Sequence, residues 1–203
     1  MEIRILFLFC FISIVVSLNA QTDNRCVALI LNSKVSYFNS DISDFKNDRH
    51  LLIKNDMGFK IYLSKKEKFK FVTGLIYINK GWEDDYQDFT VKRNYSFIAI
   101  PLILDFQLFK KDKISFHIPT GFVPEILVDY DKRTDNKGNK YDIDSKYIGY
   151  WDNTSFHFGL RMNYKLTEKL SLMIEPNFNY QIIMNEHRRL YDYGLEFSFG
   201  YGF

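Results

Sequence analysis

The sequence predicts an all-β protein: an eight-stranded antiparallel up-and-down transmembrane β-barrel. Three observations carry that prediction. Apolar and polar residues alternate over stretches longer than an ordinary strand of about 5–6 residues, eight such stretches follow one another, and the connections between them are short at one end and long at the other. Period two marks a strand whose two faces meet different surroundings.

The first 20 residues stand apart from this pattern. After MEIR, the run ILFLFCFISIVVSL is almost continuously apolar and then gives way to NAQTDNR. A helix that crosses a bilayer needs about 20 apolar residues, so the shorter run reads as the hydrophobic region of a secretory signal peptide. Cleavage is expected after Ala20, which leaves residues 21–203 as one outer-membrane barrel domain. Cys10 departs with the leader, Cys26 is then the only thiol and forms no internal disulfide, and neither sits in a lipidation motif.

The eight strands follow in order. Apolar residues occupy odd positions from Val27 to Tyr37, from Ile53 to Leu63 and from Phe69 to Tyr77, and even positions from Ile98 to Leu108. The fifth strand carries Ile114, Phe116, Ile118, Phe122 and Ile126; the sixth runs through Phe156, Phe158, Leu160, Met162, Tyr164 and Leu166. Leu170, Leu172, Ile174, Phe178, Tyr180 and Ile182 form the seventh. The eighth, YDYGLEFSFGYGF, places Tyr191, Tyr193, Leu195, Phe197, Phe199, Tyr201 and Phe203 on one face. Short turns are expected at 64–68, 109–113 and 167–169, with longer polar loops at 39–50, 80–94 and 129–153 and a shorter one at 185–189. An even strand count with short periplasmic turns and longer outer loops is how outer-membrane barrels are built.

Register offers a test, because a slip of one residue sends a whole apolar row to the other face. Setting Leu166 opposite Leu170 brings Arg161 opposite Glu175. Setting Leu108 opposite Ile114 pairs Asp105 with His117.

The same alternation would suit a soluble sandwich or barrel with its apolar rows inward. Strand length favours the lipid-facing arrangement, since about nine residues are needed to cross at a tilt of roughly 45°. Aromatic residues also gather where two interfaces would lie: Tyr37, Tyr77, Trp82, Tyr95, Tyr191 and Tyr193 at the outer rim, and Tyr62, Phe69, Phe106, Phe116, Tyr164, Tyr201 and Phe203 at the inner rim. The polar rows then face a lumen only wide enough for side chains. There Lys34, Lys54, Lys60, Lys70, Arg161 and Lys165 are expected to balance Asp56, Asp105, Glu125, Glu175, Asp192 and Glu196. The central network is read as Lys34, Asp56, Lys60, Asp105, His117, Arg161, Glu175 and Glu196.

Several stretches taken together resemble a family: GFKIYLSKKEKFKF at 58–71, FIAIPLILDFQLF at 97–109, a glycine-bearing fifth strand, FHFGLRMNYKLTEKLSL at 156–172 and the Gly-Tyr-Gly-Phe end. They look like the small outer-membrane β-barrel proteins of Bacteroidetes, the porin-family or PorT-like group. That resemblance implies residence in the bacterial outer membrane among its lipids and insertion by the barrel-assembly machinery. The machinery reads a final strand ending in an aromatic residue, which Phe199, Tyr201 and Phe203 supply here. It also hints at a role with envelope or secretion proteins.

Catalytic and cofactor signals are sparse. A net charge of +2 gives no electrostatic case for nucleic acid. No zinc, phosphate-loop or nucleophile-elbow motif is present, so neither cofactor nor metal is expected. His50, His117, His157 and His187 show no ligand spacing. An enzyme acting on lipid A would need a serine, a histidine and an acid at the lipid-facing rim, whereas parity puts Ser115 with His117 and Ser155 with His157 in the lumen, with no acid forced beside Ser155. The expectation is therefore a structural or surface-interaction protein rather than an enzyme, with the lipid A hydrolase and a secreted soluble binding protein as alternatives. In the longest loop, Tyr141, Tyr147, Tyr150 and Trp151 are the residue types enriched at contact surfaces.

Overall fold

A computed structural model describes residues 24–40, 49–50, 52–66, 68–86, 89–130, 133–134, 140–141, 153–183 and 188–202. The expected leader at 1–20 lies outside the described residues. Among the described residues the strands are β1 (Asn24–Ser40), β2 (Arg49–His50), β3 (Leu52–Lys66), β4 (Phe69–Tyr86), β5 (Phe89–Ala99), β6 (Leu102–Lys111), β7 (Ile114–Tyr130), β8 (Arg133–Thr134), β9 (Lys140–Tyr141), β10 (Asn153–Gly159), β11 (Arg161–Lys165), β12 (Leu170–Ile183) and β13 (Arg188–Gly202). Eight of the resulting staves form the wall, with β5 and β6 sharing one and β10 and β11 another. Each pairs antiparallel with its chain neighbours, and β1 pairs with β13 from Cys26↔Gly202 to Ser40↔Arg188. The sheet is thereby a closed eight-stranded antiparallel barrel with no free edge.

The two interrupted staves keep register. Pairing of β4 runs from Ile76↔Ala99 to Val72↔Ile103 without a shift. Pro101 cannot donate a ladder hydrogen bond, and the Ile100 N–H reaches Pro124 O at 3.0 Å. At Leu160, the N–H bonds Pro176 O at 3.1 Å, and the β12 register is the same on both sides.

Apolar residues face outward, as the alternation predicts. Leu29 is 68% exposed, Leu31 62%, Ile53 74% and Phe199 61%, whereas Lys34, Arg161 and Glu175 are 1–2% exposed. An outer wall so continuously apolar requires an apolar solvent, which is the arrangement of a membrane barrel. Near the long-loop end the apolar rows are crossed by an outward polar row in register: Ser33, Asn55, Asn79 and Ser96 on four adjacent staves. Ser33 Oγ donates to Asn55 Oδ1 at 2.9 Å and Ser96 Oγ to Asn79 Oδ1 at 3.1 Å, so these groups satisfy one another laterally.

Close curvature of the narrow wall depends on small inward residues. A Cβ at Gly58 would stand 2.3 Å from Leu75 O, and one at Gly74 2.1 Å from Phe59 O. Any side chain at these facing positions would force β3 and β4 apart.

The turns meet expectation at one end and depart from it at another. Leu166 N–H bonds Leu170 O at 2.9 Å, and Thr167 Oγ1 accepts from Leu170 N–H at 3.0 Å. Leu166 and Leu170 therefore close that hairpin as predicted. Between β6 and β7, however, Lys111 rather than Leu108 pairs with Ile114, and a bulge at Leu108 shifts register so that Asp105 faces Pro119. Asp112 takes up the tight reversal with φ 49°, a left-handed conformation that aspartate tolerates better than most residues.

Three further expectations change. Residues 80–94 are not a loop: β4 and β5 continue as one long hairpin from Lys80↔Tyr95 to Tyr86↔Phe89. Likewise 129–153 contains the small β8–β9 pair, and Lys92 pairs with Thr134. Beyond the apolar band both faces of a strand meet water, so the period-two signal vanishes while the hydrogen-bond ladder continues. Tyr62 and Tyr95, predicted at the rims, are inward and only 3% and 7% exposed; each has the lumen parity of its own strand. Side chains of Tyr37, Trp82 and Phe203 lie outside the described residues. The lumen, finally, is not lined by polar groups alone: Ile76, Ile78, Phe97, Ile103, Val123 and Leu127 are buried on one side of it.

The outward placement of Leu29 gives a direct test. Leu29→Arg is expected to destabilise the inserted barrel by about 2–4 kcal/mol if that residue lies near the bilayer midplane, whereas Leu29→Met leaves it unchanged. The measurement is the fraction of compact, heat-modifiable protein on a semi-denaturing gel across a urea series.

Candidate functional site

The strongest concentration of chemistry is the charged side of the lumen. Strands β1, β3, β4, β7, β11, β12 and β13 each send at least one charged residue inward, because the same alternation that greases the outer wall puts every second residue inside. An isolated buried charge would cost several kcal/mol, and the observed geometry pairs them.

Three clusters are present. Nearest the long-loop end, Lys34 Nζ stands 3.0 Å from Asp56 Oδ2, and Lys80 Nζ contacts both oxygens of Glu125 at 2.7 Å. Ser155 Oγ accepts from Lys80 at 3.1 Å and donates to Glu125 Oε1 at 2.7 Å. Asp192 Oδ2 lies between the two lysines, 3.9 Å from Lys34 and 3.8 Å from Lys80. In the middle, Lys60 Nζ holds Glu196 at 2.7 and 2.8 Å, and Ser198 Oγ donates to the same carboxylate at 3.0 Å. Lys60 and Glu196 belong to staves on opposite sides of β1, and the methyl of Ala28, directly opposite Lys60, leaves the lysine room to reach across.

The third cluster lies toward the short turns. Arg161 Nη2 donates to Asp105 Oδ2, Arg161 Nη1 stands 3.7 Å from Glu175 Oε2, and the guanidinium covers the Tyr62 ring at 4.7 Å. Such stacking adds to ion pairing where water is excluded. His117 Nδ1 is 3.2 Å from Asp105 Oδ2, and His117 Nε2 is 3.0 Å from Ser115 Oγ.

All eight residues assigned to the lumen network face inward here and fall into these clusters: Lys34 with Asp56, Lys60 with Glu196, and Asp105, His117, Arg161 and Glu175 together. Arg161 meets Glu175 across the β11–β12 hairpin as the register predicted. Asp105 meets His117 for a different reason from the one predicted, diagonally across the bulge rather than directly opposite. Lys165, expected in the balance, is exposed. Phe199 and Tyr201 face outward, 61% and 47% exposed. The Tyr141 side chain, Tyr147, Tyr150 and Trp151 lie outside the described residues.

Sequence reasoning missed Lys80, because it placed that residue in a loop. The signal was available: Lys80 shares parity with the inward Val72, Ile76 and Ile78 of the same strand. It also missed the acid beside Ser155, which comes from Glu125 on the neighbouring stave. A chain of amides went unnoticed as well. Asn32 Nδ2 donates to Asp56 Oδ2 at 3.2 Å, Asn177 Nδ2 to Asn32 Oδ1 at 3.4 Å, and Asn179 Nδ2 to Asn177 Oδ1 at 3.2 Å. His157 ends the chain, with Nδ1 2.7 Å from Asn179 Oδ1 and Nε2 2.9 Å from Glu175 Oε1.

Between the clusters lies a cavity of about 40 Å³, bounded by Asn32, Lys34, Asp56, Lys80, Asp192 and their neighbours. A single water needs about 10–15 Å³ of such space, so the cavity suits a few waters rather than an organic ligand. Among the described residues no group of three or more histidine, cysteine, aspartate or glutamate side chains converges as a metal site.

The comparisons agree with this architecture. No curated protein matches the chain. Among solved structures, the outer membrane protein OprG of Pseudomonas aeruginosa is similar with a TM-score of 0.53 and 10% identity, covering 90% of this chain and 96% of its own. Neisserial surface protein A gives the same TM-score at 7% identity, covering 88% of this chain and 97% of its own. At these identities the likeness is one of fold. The family described as outer membrane protein beta-barrel domain matches residues 38–203. That match takes in seven of the eight staves and the last residues of β1, and with the closed barrel and its greasy outer wall it identifies the chain as a member of the outer membrane protein beta-barrel domain family, resident in the bacterial outer membrane.

Proposed function

We propose that this protein is a sealed outer-membrane barrel, non-enzymatic, which works as a structural or surface-interaction element rather than as a diffusion pore. The observation that carries the reading is the Lys80–Glu125–Ser155 cluster together with Lys60–Glu196. Lys60 ties β3 to β13 and Lys80 ties β4 to β7 and β10, with contacts of 2.7–3.1 Å, and among the described residues the cavity between the two clusters is small. A solute would have to break these buried ion pairs to pass. With the interior committed to holding the wall together, recognition falls to what projects beyond the membrane: the far ends of β4 and β5 and the small β8–β9 pair. Loops on a rigid scaffold are where binding is commonly carried. The sequence resemblance to the PorT-like barrels of Bacteroidetes supports partners among envelope or secretion proteins and delivery by the barrel-assembly machinery.

A hydrolase is the second reading, and one geometric feature favours it. Ser115, His117 and Asp105 follow one another in the order of a nucleophilic relay: the hydroxyl meets Nε2 at 3.0 Å, and Nδ1 stands 3.2 Å from the Asp105 carboxylate without a hydrogen bond to it. Against it, Ser115 is buried in the lumen, away from the acyl chains on which a lipid A hydrolase would act.

Purified protein in a planar bilayer is expected to show no stepwise conductance, and open channels in the wild type would overturn the sealed-lumen reading. Lys80→Met, which strands Glu125, is expected to cost about 3–5 kcal/mol, read as a lowered urea midpoint for loss of the compact form. Lipid A from cells overproducing the protein is expected to keep every acyl chain by mass spectrometry. Loss of one, abolished by Ser115→Ala, would establish the hydrolase instead.

A further inference from the structure

We infer that the contact between His157 and Glu175 is a proton-binding site, and that the pair holds one proton more than a neutral imidazole beside a free carboxylate would. The argument rests on the direction of hydrogen bonds. A carboxylate can only accept, so Asp56 fixes Asn32 with its amide nitrogen toward Asp56 and its oxygen toward Asn177. Asn177 is fixed a second time, because its Nδ2 also donates to the backbone oxygen of Glu175 at 3.2 Å. Its oxygen therefore accepts from Asn179, whose own oxygen is left facing His157 Nδ1. The hydrogen in that last contact belongs to Nδ1.

With Nδ1 protonated, a neutral imidazole carries a bare lone pair on Nε2. Nε2 stands 2.9 Å from Glu175 Oε1, and two lone pairs do not hold such a distance. A hydrogen lies between them, and whether it is drawn on the nitrogen or on the oxygen, the pair as a whole is neutral. Charge in the lumen supplies the reason for keeping it. Among the described residues the fully buried carboxylates are Asp56, Asp105, Glu125, Glu175, Asp192 and Glu196, while the fully buried cations are Lys34, Lys60, Lys80 and Arg161. Half-buried Lys54 and Lys70 lie toward the two ends of the lumen, so near His157 the carboxylates outnumber the fully buried bases and a bound proton reduces that local negative charge.

The groups facing His157 come from every side. Glu175, Asn177 and Asn179 belong to β12, and across the cavity that His157 helps to line stand Asn32 and Lys34 of β1, Asp56 and Lys60 of β3, Lys80 of β4, Glu125 of β7, and Asp192 and Glu196 of β13. Arg161 on β11 approaches the other oxygen of Glu175 at 3.7 Å. When the proton leaves, the contact between Nε2 and Glu175 is lost and Glu175 has that guanidinium to turn toward, while His157 Nδ1 keeps its bond to Asn179. The proton acts as a latch between the β10–β11 stave and β12, at the end of an amide chain that reaches back to β1. This rests on the hydrogen-bond network alone and stands even if the barrel proves to conduct.

The test uses the full barrel refolded in detergent micelles, with Glu175→Gln as the key variant, because a glutamine amide supplies its own hydrogen to Nε2. A proton held by the folded state and released on unfolding stabilises at low pH, and that contribution is lost as pH rises. The heat-modification midpoint of the wild type is expected to fall as pH rises past about 6.5, where the imidazole of the unfolded chain gives up its proton, and that of Glu175→Gln to fall less over the same range. If Glu175→Gln does not fold, His157→Gln, which offers an amide hydrogen from the other side, is read in the same way. Nitrogen-15 spectra of histidine-labelled protein, with His157→Gln used for assignment, are expected to show His157 Nδ1 protonated at neutral pH. A bare Nδ1, or a variant that keeps the full wild-type pH slope, overturns the inference.

Discussion

Pairing of charge in a space too narrow for bulk water is the constraint on which the rest of this barrel depends. An eight-stranded wall encloses too little room for bulk solvent, so every ionic side chain directed inward must find its counterion among the other staves. Lys60 reaching over Ala28 to Glu196, and Lys80 held between Glu125 and Asp192, are therefore statements about register as much as about charge. A slip of one residue in β3 or β4 would bring their lysines into lipid and leave carboxylates buried alone, at several kcal/mol for each uncompensated ion. Buried ion pairs do not by themselves make a protein more stable than apolar packing would. Here they make one register much better than its neighbours.

The fold was legible because the membrane sharpens the sequence signal. A strand with lipid on one side and a closed lumen on the other must alternate along its whole crossing, and the rows at 156–166 and 191–203 do so almost without fault. Where those surroundings end, the signal ends too, which is why β4 and β5 extend well past the point at which alternation fades. The turn after β6 was misread because a bulge at Leu108 changes parity without changing composition. Nothing in FKKDK distinguishes a five-residue connection from a two-residue reversal preceded by a bulge, apart from the tolerance of Asp112 for a left-handed backbone.

The lumen network was legible in membership and less so in connection. Parity alone assigns a residue to the interior, and it did so for Lys34, Asp56, Lys60, Asp105, His117, Arg161, Glu175 and Glu196. Which residue meets which depends on height along the barrel and on neighbours two staves away, and one strand pair cannot supply that. The Arg161–Glu175 contact was found because both lie on one hairpin. Lys60–Glu196 and Ser155–Glu125 were not, because each joins residues far apart in the chain. The apolar half of the lumen, with Ile76, Ile78, Phe97 and Ile103, was hidden for a simpler reason: on β4 and β5 both faces are apolar, and the row of larger contrast drew the reading.

The seam between β1 and β13 carries a consequence for how the molecule comes into being. The first stave finds its second neighbour only when the last stave exists, so contacts separated by most of the chain must form before any edge is satisfied. Distant pairings of this kind form slowly, and during that interval one edge of β1 is unpaired and open to the wrong partner. A polypeptide shortened by its final stave would not be a slightly weaker cylinder. It would be a curled sheet with two sticky margins, a substrate for proteolysis or for aggregation.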